Sequence, residues 1–259
     1  MAAQTALPTP QYSYADLADR ALAAPIALVA TVTDTIRLKS EQAPNLAAGH
    51  ARLFVEATAN TLIRGPGDVP PAVQYLADVP LDAKGKVPKL KNRHVLLLAR
   101  PIAGKPGVLQ LISPDAQMMM TPELDKRVRA ILTEGVRPDA APPVTGITSA
   151  FHVPGSIPGE GETQIFLATR DNRPISISVL SRPGQDRQWS VALGEVVDEA
   201  AQAPQRDTLL WYRLACGLPR QLPAEATADL EAANAEAARG DYAYVLQQLG
   251  ACTRNVRTS

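Results

Sequence analysis

The segment at residues 152–162 holds the residue types best suited to a binding or catalytic loop. His152, Ser156, Glu160 and Glu162 stand there among several glycines and prolines. A histidine can transfer a proton near neutral pH, and a carboxylate can act as its acid or base partner. The alternative is an irregular crossover between strands, in which Gly and Pro only turn the chain. Because the glycine pattern matches no known anion cradle, the second interpretation is favoured.

The segment at residues 84–93 has five basic side chains and no acidic one, and these are Lys84, Lys86, Lys89, Lys91 and Arg93. Such a cluster could bind phosphates or an acidic partner. A solvated turn whose charges protect a sheet edge from aggregation would show the same pattern. No aromatic residue interleaves, and single-stranded nucleic acids stack on aromatic rings. The solvated turn is therefore the favoured interpretation.

Three further carboxylates, Glu195, Asp198 and Glu199, stand close together in the chain. A group of this kind can serve as acid and base or bind a cation. More commonly, it is the acidic first turn of a surface segment before a helix, and we favour that interpretation.

The two cysteines, Cys216 and Cys252, have no CxxC spacing, which argues against a zinc or thioredoxin-like motif. They are either buried thiols or a possible disulfide. The N-terminal residues do not resemble a secretory leader, which favours thiols and a cytoplasmic location by default. A disulfide would instead indicate the cell envelope or the extracellular space.

Motifs for several common reactions are missing: GxSxG, GxxxxGK[ST], GxGxxG, HExxH and the EF-hand loop do not occur. None of the three histidines, His50, His94 and His152, has another His or Cys within five residues. The sequence therefore predicts no metal site and no cofactor. An enzyme stays possible, because acid/base chemistry by dispersed carboxylates leaves almost no local pattern.

Composition restricts the partners. The 259 residues include 26 basic and 26 acidic side chains, a balance that disfavours a protein devoted to nucleic acid or acidic membranes. The most apolar stretch, residues 21–32, contains Pro25 and is shorter than the roughly 20 residues that a spanning helix needs. We therefore expect no membrane span. The oligomeric state is not indicated.

Alternating apolar and polar residues predict the elements that would position these groups. In the first half they indicate five strands, at residues 26–38, 52–64, 72–79, 94–99 and 108–112. Composition predicts a helix before them, at residues 16–24 and ended by Pro25, and a second helix follows at residues 122–132. Gly65 follows the second strand, and the fourth strand, apolar on both faces, follows the basic segment.

This order over residues 25–132 resembles the OB-fold barrel, and more narrowly the netrin-like form found in tissue inhibitors of metalloproteases. The resemblance implies a five-stranded barrel whose loops bind a partner. Those inhibitors present an N-terminal cysteine to the zinc of their target, whereas this chain has no cysteine before Cys216. The inhibitory activity is therefore not implied.

A Pro-rich connector at residues 137–143 separates a second part of the chain. There the sequence predicts an antiparallel meander at residues 164–170, 175–181 and 189–193. About three helices would follow, beginning near Asp207, Thr227 and Asp241, with the second ending at Gly240. The expected fold is α+β and mainly β, with an OB-like barrel domain at 1–136 and a meander with a helical tail at 144–259.

Three functions fit these patterns. The leading hypothesis is a non-enzymatic binding or protein-interaction module that uses the barrel loops or the loop at 152–162. The second is a hydrolytic enzyme with dispersed carboxylates and His152, which requires His152 and one of Glu160, Glu162 or Glu195 in one concave pocket. The third is nucleic-acid binding through residues 84–93, the least favoured because of the balanced charge.

Overall fold

The computed structural model describes residues 12–67, 69–194 and 202–256. It shows an α+β chain, mainly β, that divides into two compact units. Unit 1 comprises Met1–Thr133 and Arg254–Ser259, and unit 2 comprises Glu134–Thr253. Each unit contains one antiparallel sheet.

Unit 1 is built on a six-stranded sheet in the order β3-β2-β1-β4-β5, with β6 also pairing with β4. The strands are β1 Ile26–Arg37, β2 His50–Arg64, β3 Ala72–Pro80, β4 His94–Pro101, β5 Leu109–Leu111 and β6 Gln117–Met119. Helix α1 (Tyr14–Ala23) precedes this sheet, and helix α2 (Pro122–Gly135) follows it.

The first five strands of unit 1 lie where the alternating pattern predicts them. In β3 the burial alternates residue by residue, whereas in β4 every residue from Val95 to Ala99 is buried. β4 is the central strand that its two apolar faces predict. The sequence does not predict β6, which is only three residues long. No closed barrel is found among the described strands, so barrel closure stays a prediction.

The last described residues of the chain belong to unit 1 and bind α1. Asp16 lies in the first turn of α1, and its carboxylate accepts the backbone N–H groups of Ser13, Asn255 and Val256 at 2.8, 2.9 and 3.3 Å. Burial tends to raise the pKa of Asp16, but these N–H donors and the Ser13 hydroxyl hold it below its usual value. The carboxylate therefore joins the two ends of the unit 1 sequence.

Unit 2 contains a four-stranded sheet in the order β10-β9-β8-β7. Its elements are β7 Val144–Pro154, β8 Gly161–Thr169, β9 Ile175–Ser181, β10 Gln188–Ala192, α3 Leu209–Gly217, a 3-10 turn at Ala224–Thr227 and α4 Ala232–Leu249. The predicted meander corresponds to β8, β9 and β10.

The sequence misses β7 entirely. Its pairing with β8 shifts register between Val144 and Gly146 and again between Ile147 and Ser149. Each such bulge moves the following side chains to the other face and interrupts the period of two. The segment at 152–162 is therefore neither a long loop nor a crossover. It contains the end of β7, a tight turn and the start of β8.

The predicted helix end at Gly240 is wrong. α4 continues through Gly240 and Asp241 as one helix of 18 residues. An interior glycine costs helix stability but does not by itself end a helix, and packing outweighs that cost here. Asp241 consequently caps nothing, and its buried carboxylate has another role.

Cys216 and Cys252 form a disulfide, with their Cα atoms 5.2 Å apart. The preferred interpretation of two thiols is therefore wrong. The bond joins the last turn of α3 to the segment after α4, within unit 2. Among the helices in the described ranges, none combines the length and apolarity needed to cross a membrane.

Candidate functional site

A concave cavity of about 380 Å³ opens in unit 2. We call it the hairpin cavity, because the β7–β8 and β9–β10 turns and one face of α4 surround it. Its lining residues are His152, Gly159, Glu160, Gly161, Ser181, Arg182, Gln185, Arg187, Ala237 and Asp241. Two of the predicted residues, His152 and Glu160, thus lie in one pocket.

A line of three polar side chains leads from α4 into this cavity. The hydroxyl of Thr163 donates to Oδ2 of Asp241 at 2.5 Å, and Nδ1 of His152 lies 2.8 Å from the same hydroxyl oxygen. Thr163 and Asp241 are buried, with 0% and 4% of their surface exposed. His152 and Thr163 are cross-strand partners on β7 and β8, which explains why their side chains meet.

Gly161 makes room for the imidazole of His152. A β-carbon added at Gly161 would lie 2.7 Å from Cε1 and 3.0 Å from Nε2 of His152. Gly161 is also the cross-strand partner of Ser181, which lines the cavity. The glycine therefore leaves the space between His152 and Ser181 free of a side chain.

Two arginines supply the positive charge of the cavity. Nε of Arg187 lies 3.5 Å from Oδ1 of Asp241, and its guanidinium stands over the ring of Tyr244 at 5.7 Å. The Tyr244 hydroxyl donates to the Arg187 carbonyl at 2.8 Å, which holds this segment on α4. The exposed guanidinium of Arg182 makes no hydrogen bond or ion pair with any residue that the structure describes.

The two predicted glutamates lie in different places. The carboxylate of Glu160 accepts the N–H of Ser156 at 3.1 Å, so it orders the turn as well as lining the cavity. Glu162 alternates with Gly161 and Thr163 along β8 and therefore lies on the opposite face of the sheet. It accepts from the Gln164 side chain at 3.0 Å and does not line the cavity.

The basic segment at 84–93 connects β3 to β4 in unit 1. Lys84, Lys86, Lys89, Lys91 and Arg93 are all exposed. The carboxylate of Asp82 accepts the backbone N–H groups of Lys86 and Lys84 at 2.8 Å each, and these bonds lower its pKa. The hydrogen bonds explain the turn, and the five side chains are left to solvent.

The carboxylates Glu195, Asp198 and Glu199 lie outside the described residues. Within the ranges that the structure does describe, no three His, Cys, Asp or Glu side chains are grouped so that they could hold a metal ion.

Sequence reasoning assigned no role at a site to Asp241, Arg182 and Arg187, which line the cavity, or to Thr163, which lies between His152 and Asp241. Thr163 carries no pattern of its own in a strand, and Asp241 after Gly240 resembles a helix cap. Arg182 and Arg187 flank a turn, where exposed charge is ordinary. The missing information was spatial, because β8 and α4 approach each other only in the folded unit. No protein-family model matches this chain, and no curated protein sequence matches it.

Proposed function

We propose that this chain is a binding protein that holds a protein partner at the β7–β8 hairpin. The observation that carries the proposal is the exposure of three large apolar side chains on this hairpin: Phe151 is 51%, Val153 65% and Ile157 55% exposed. Clustered apolar side chains at the surface are typical of interaction sites.

The surroundings of the hairpin support a protein interface. Phe151 and Val153 alternate with His152, so they lie on the other face of β7 from the cavity. Phe151 makes an edge-to-face contact with Phe166, with ring centroids 5.9 Å apart, which holds it in place without burying it. Polar residues such as Gln164 and Glu162 border this apolar group. An apolar centre with a polar rim is the usual composition of an interface.

The test is affinity capture from the native host with matched variants. Phe151→Ser with Val153→Ser removes the apolar centre, and Ile36→Ser removes a side chain of similar exposure (56%) in unit 1. We expect the wild type and the Ile36 variant to retain the same partner. The double variant should lose at least about tenfold in affinity, since central apolar anchors dominate interface energy. Equal retention by all three proteins would contradict the proposal.

A second function, hydrolysis, is supported by a different observation. His152 and Glu160 share the hairpin cavity, which is the arrangement that the hydrolytic hypothesis requires. In addition, a buried carboxylate, Asp241, reaches His152 through Thr163. A histidine oriented by a hydrogen-bonded carboxylate is a common acid/base arrangement. Loss of turnover of a general ester substrate in His152→Ala would test this candidate.

We also infer that unit 1 is an OB-like barrel, closed by β3 and β5. Support comes from an isolated parallel bridge between Gln74 and Val108, and from the bonds of Gln74 N–H to Gly107 O and Asp78 N–H to Pro114 O at 2.8 and 2.9 Å. Slow hydrogen exchange at the Gln74 and Asp78 amides is expected for a closed barrel. Exchange as fast as at an open edge strand would count against it.

The disulfide supports a third inference, that the protein works in an oxidising compartment. Thiols of the native protein, alkylated before lysis, should number zero, with Cys216 and Cys252 joined. Two alkylated cysteines would instead indicate that the protein works in a reducing compartment.

A further inference from the structure

We propose that Nε2 of His152 is the general base for hydrolysis of an ester that carries a negatively charged group, with Thr163 and Asp241 as positioning residues. This inference rests on the hydrolytic candidate above and names its substrate class and its proton path.

The hydrogen bonds determine which nitrogen of His152 is free. A carboxylate can only accept hydrogen bonds, so the single hydroxyl proton of Thr163 is donated to Asp241. The Thr163 oxygen can then only accept from Nδ1, 2.8 Å away, which must carry its proton. In the neutral ring, Nε2 therefore holds a lone pair. Nε2 and the adjacent Cε1 are the two ring atoms beside Gly161, which lines the cavity.

The burial of Asp241 requires an explanation that helix structure does not supply. The residue lies inside α4, away from both ends, and only 6% of its side chain is exposed. Burying a carboxylate is costly unless charges or donors compensate it. Its compensation is Thr163, the half-exposed Arg187 and, at 3.8 Å, Nδ1 of His152. A carboxylate at this distance stabilises the imidazolium that forms when Nε2 takes a proton.

The cations of the cavity define the substrate. Arg187 forms an ion pair with Asp241, and the Glu160 carboxylate accepts a backbone N–H. The Arg182 guanidinium has no hydrogen-bond or ion-pair partner in the described ranges. A guanidinium binds carboxylate or phosphate in preference to a neutral group. The cavity volume of about 380 Å³ suits a small molecule. We therefore assign a small ester with one anionic substituent.

The reaction is balanced by water alone. Nε2 removes a proton from water as its oxygen bonds to the ester carbonyl carbon. The imidazolium then returns that proton to the leaving alkoxide as the carbon–oxygen ester bond breaks. The products are a carboxylic acid and an alcohol, and His152 regains its starting tautomer. Ser181 is not required for this path.

Turnover by the full chain is the first measurement. The substrates are the 4-nitrophenyl monoester of succinic acid, which is anionic, and 4-nitrophenyl butanoate, which is neutral. His152→Gln should lower kcat for the anionic ester at least about 100-fold. His94→Gln is the matched control, because His94 also lies 3.1 Å from a threonine hydroxyl, that of Thr31 in unit 1, and this hydroxyl donates to the amide oxygen of Asn60 and not to a carboxylate. That variant should turn over like the wild type.

Arg182→Ala tests recognition of the anionic group independently of the general base. We expect its KM for the anionic ester to rise about tenfold, with the neutral ester unaffected, as for the loss of one charged contact. An equal effect on both esters would overturn the assignment of an anionic substrate.

The proton path has its own readout in the ¹⁵N spectrum of the imidazole. The wild type should show His152 protonated at Nδ1. In Thr163→Val or Asp241→Asn nothing holds the proton there, so we expect the tautomer protonated at Nε2 to appear in the spectrum. The same variants should lower kcat at least tenfold. Because a proton is transferred in the reaction, the wild type should turn over more slowly in D2O than in H2O. This difference should be absent in His152→Gln. Thr163→Val keeps the branched shape of the side chain and removes only the hydroxyl, so it tests the path even if the Asp241 variant fails to fold.

The failures are distinguishable. Binding of succinate, an anion that carries no ester, is measured separately by calorimetry. If succinate binds and no ester is hydrolysed above the rate of free imidazole, the general-base role is overturned while the anion site stands. If His152 is protonated at Nε2, the positioning by Thr163 and Asp241 is overturned. If neither binding nor turnover occurs, the hydrolytic candidate itself fails.

Discussion

At Gly161, the absence of a side chain is what gives the His152 imidazole its position. Gly161→Ala places a methyl group within 3.0 Å of the ring, so the ring must shift, and the shift disturbs its 2.8 Å contact with the Thr163 hydroxyl. We expect the ¹⁵N signal of a hydrogen-bonded Nδ1–H in His152 to be lost. Gly194→Ala is a control, because an added β-carbon there meets no atom of the described residues within 4 Å. An unchanged signal in the Gly161 variant would show that the ring is not held by this contact.

Asp16 makes the stability of unit 1 depend on pH. The pKa of this carboxylate is lowered in the folded protein, so its contribution to stability is complete above its unfolded pKa and is lost as pH falls through the lower, folded pKa. Asp16→Asn should lower the free energy of unfolding by about 2 kcal/mol near pH 7. Near pH 2 the difference from wild type should shrink towards zero.

Urea unfolding at both pH values measures this difference. Asp125→Asn, which removes only an exposed pair with Arg129, should cost about 0.5 kcal/mol or less at either pH. A pH-independent effect of Asp16→Asn would mean that its hydrogen bonds do not depend on the charge of the carboxylate.

At the scale of the elements, a substitution at Gly240 tests whether α4 is continuous or ends at this residue. In a continuous helix, Gly240→Ala should stabilise the protein by about 0.5–1 kcal/mol, because alanine is the better helix former and the added methyl meets nothing within 4 Å. If the helix ended at Gly240 in a left-handed conformation, the same change would destabilise. Gly184→Ala, at a true positive φ of 72° in the β9–β10 turn, should destabilise in the same urea titration.

The elements also show how far the sequence predicts this protein. Regular alternation identified β1 to β3 and the meander, because one face of each of these strands is buried and the other is not. β4 was identified by an apolar run on both faces, and it is buried on both. It failed for β7, where two register shifts break the period, and at Gly240, where packing outweighs local propensity. The candidate site could be predicted only as far as His152 and Glu160. Thr163 and Asp241 are 78 residues apart, and no local pattern connects them.

At the scale of the whole molecule, the disulfide should set the stability of unit 2. It closes a loop across 36 residues, and the chain-entropy model gives about 3–4 kcal/mol for such a length. Cys216→Ser with Cys252→Ser should lower the free energy of unfolding by that amount. The unfolding midpoint of this double variant should be the same with and without reductant. A reductant that leaves the wild-type midpoint unchanged would contradict this prediction.

The contact between Asp16 and the N–H groups of Asn255 and Val256 also fixes when unit 1 can complete its hydrogen bonding during synthesis. The carboxylate is translated 239 and 240 residues before these two partners, and all of unit 2 lies between them in the chain. While unit 2 emerges from the ribosome, α1 therefore lacks both hydrogen bonds. They can form only after residues 255 and 256 have been translated.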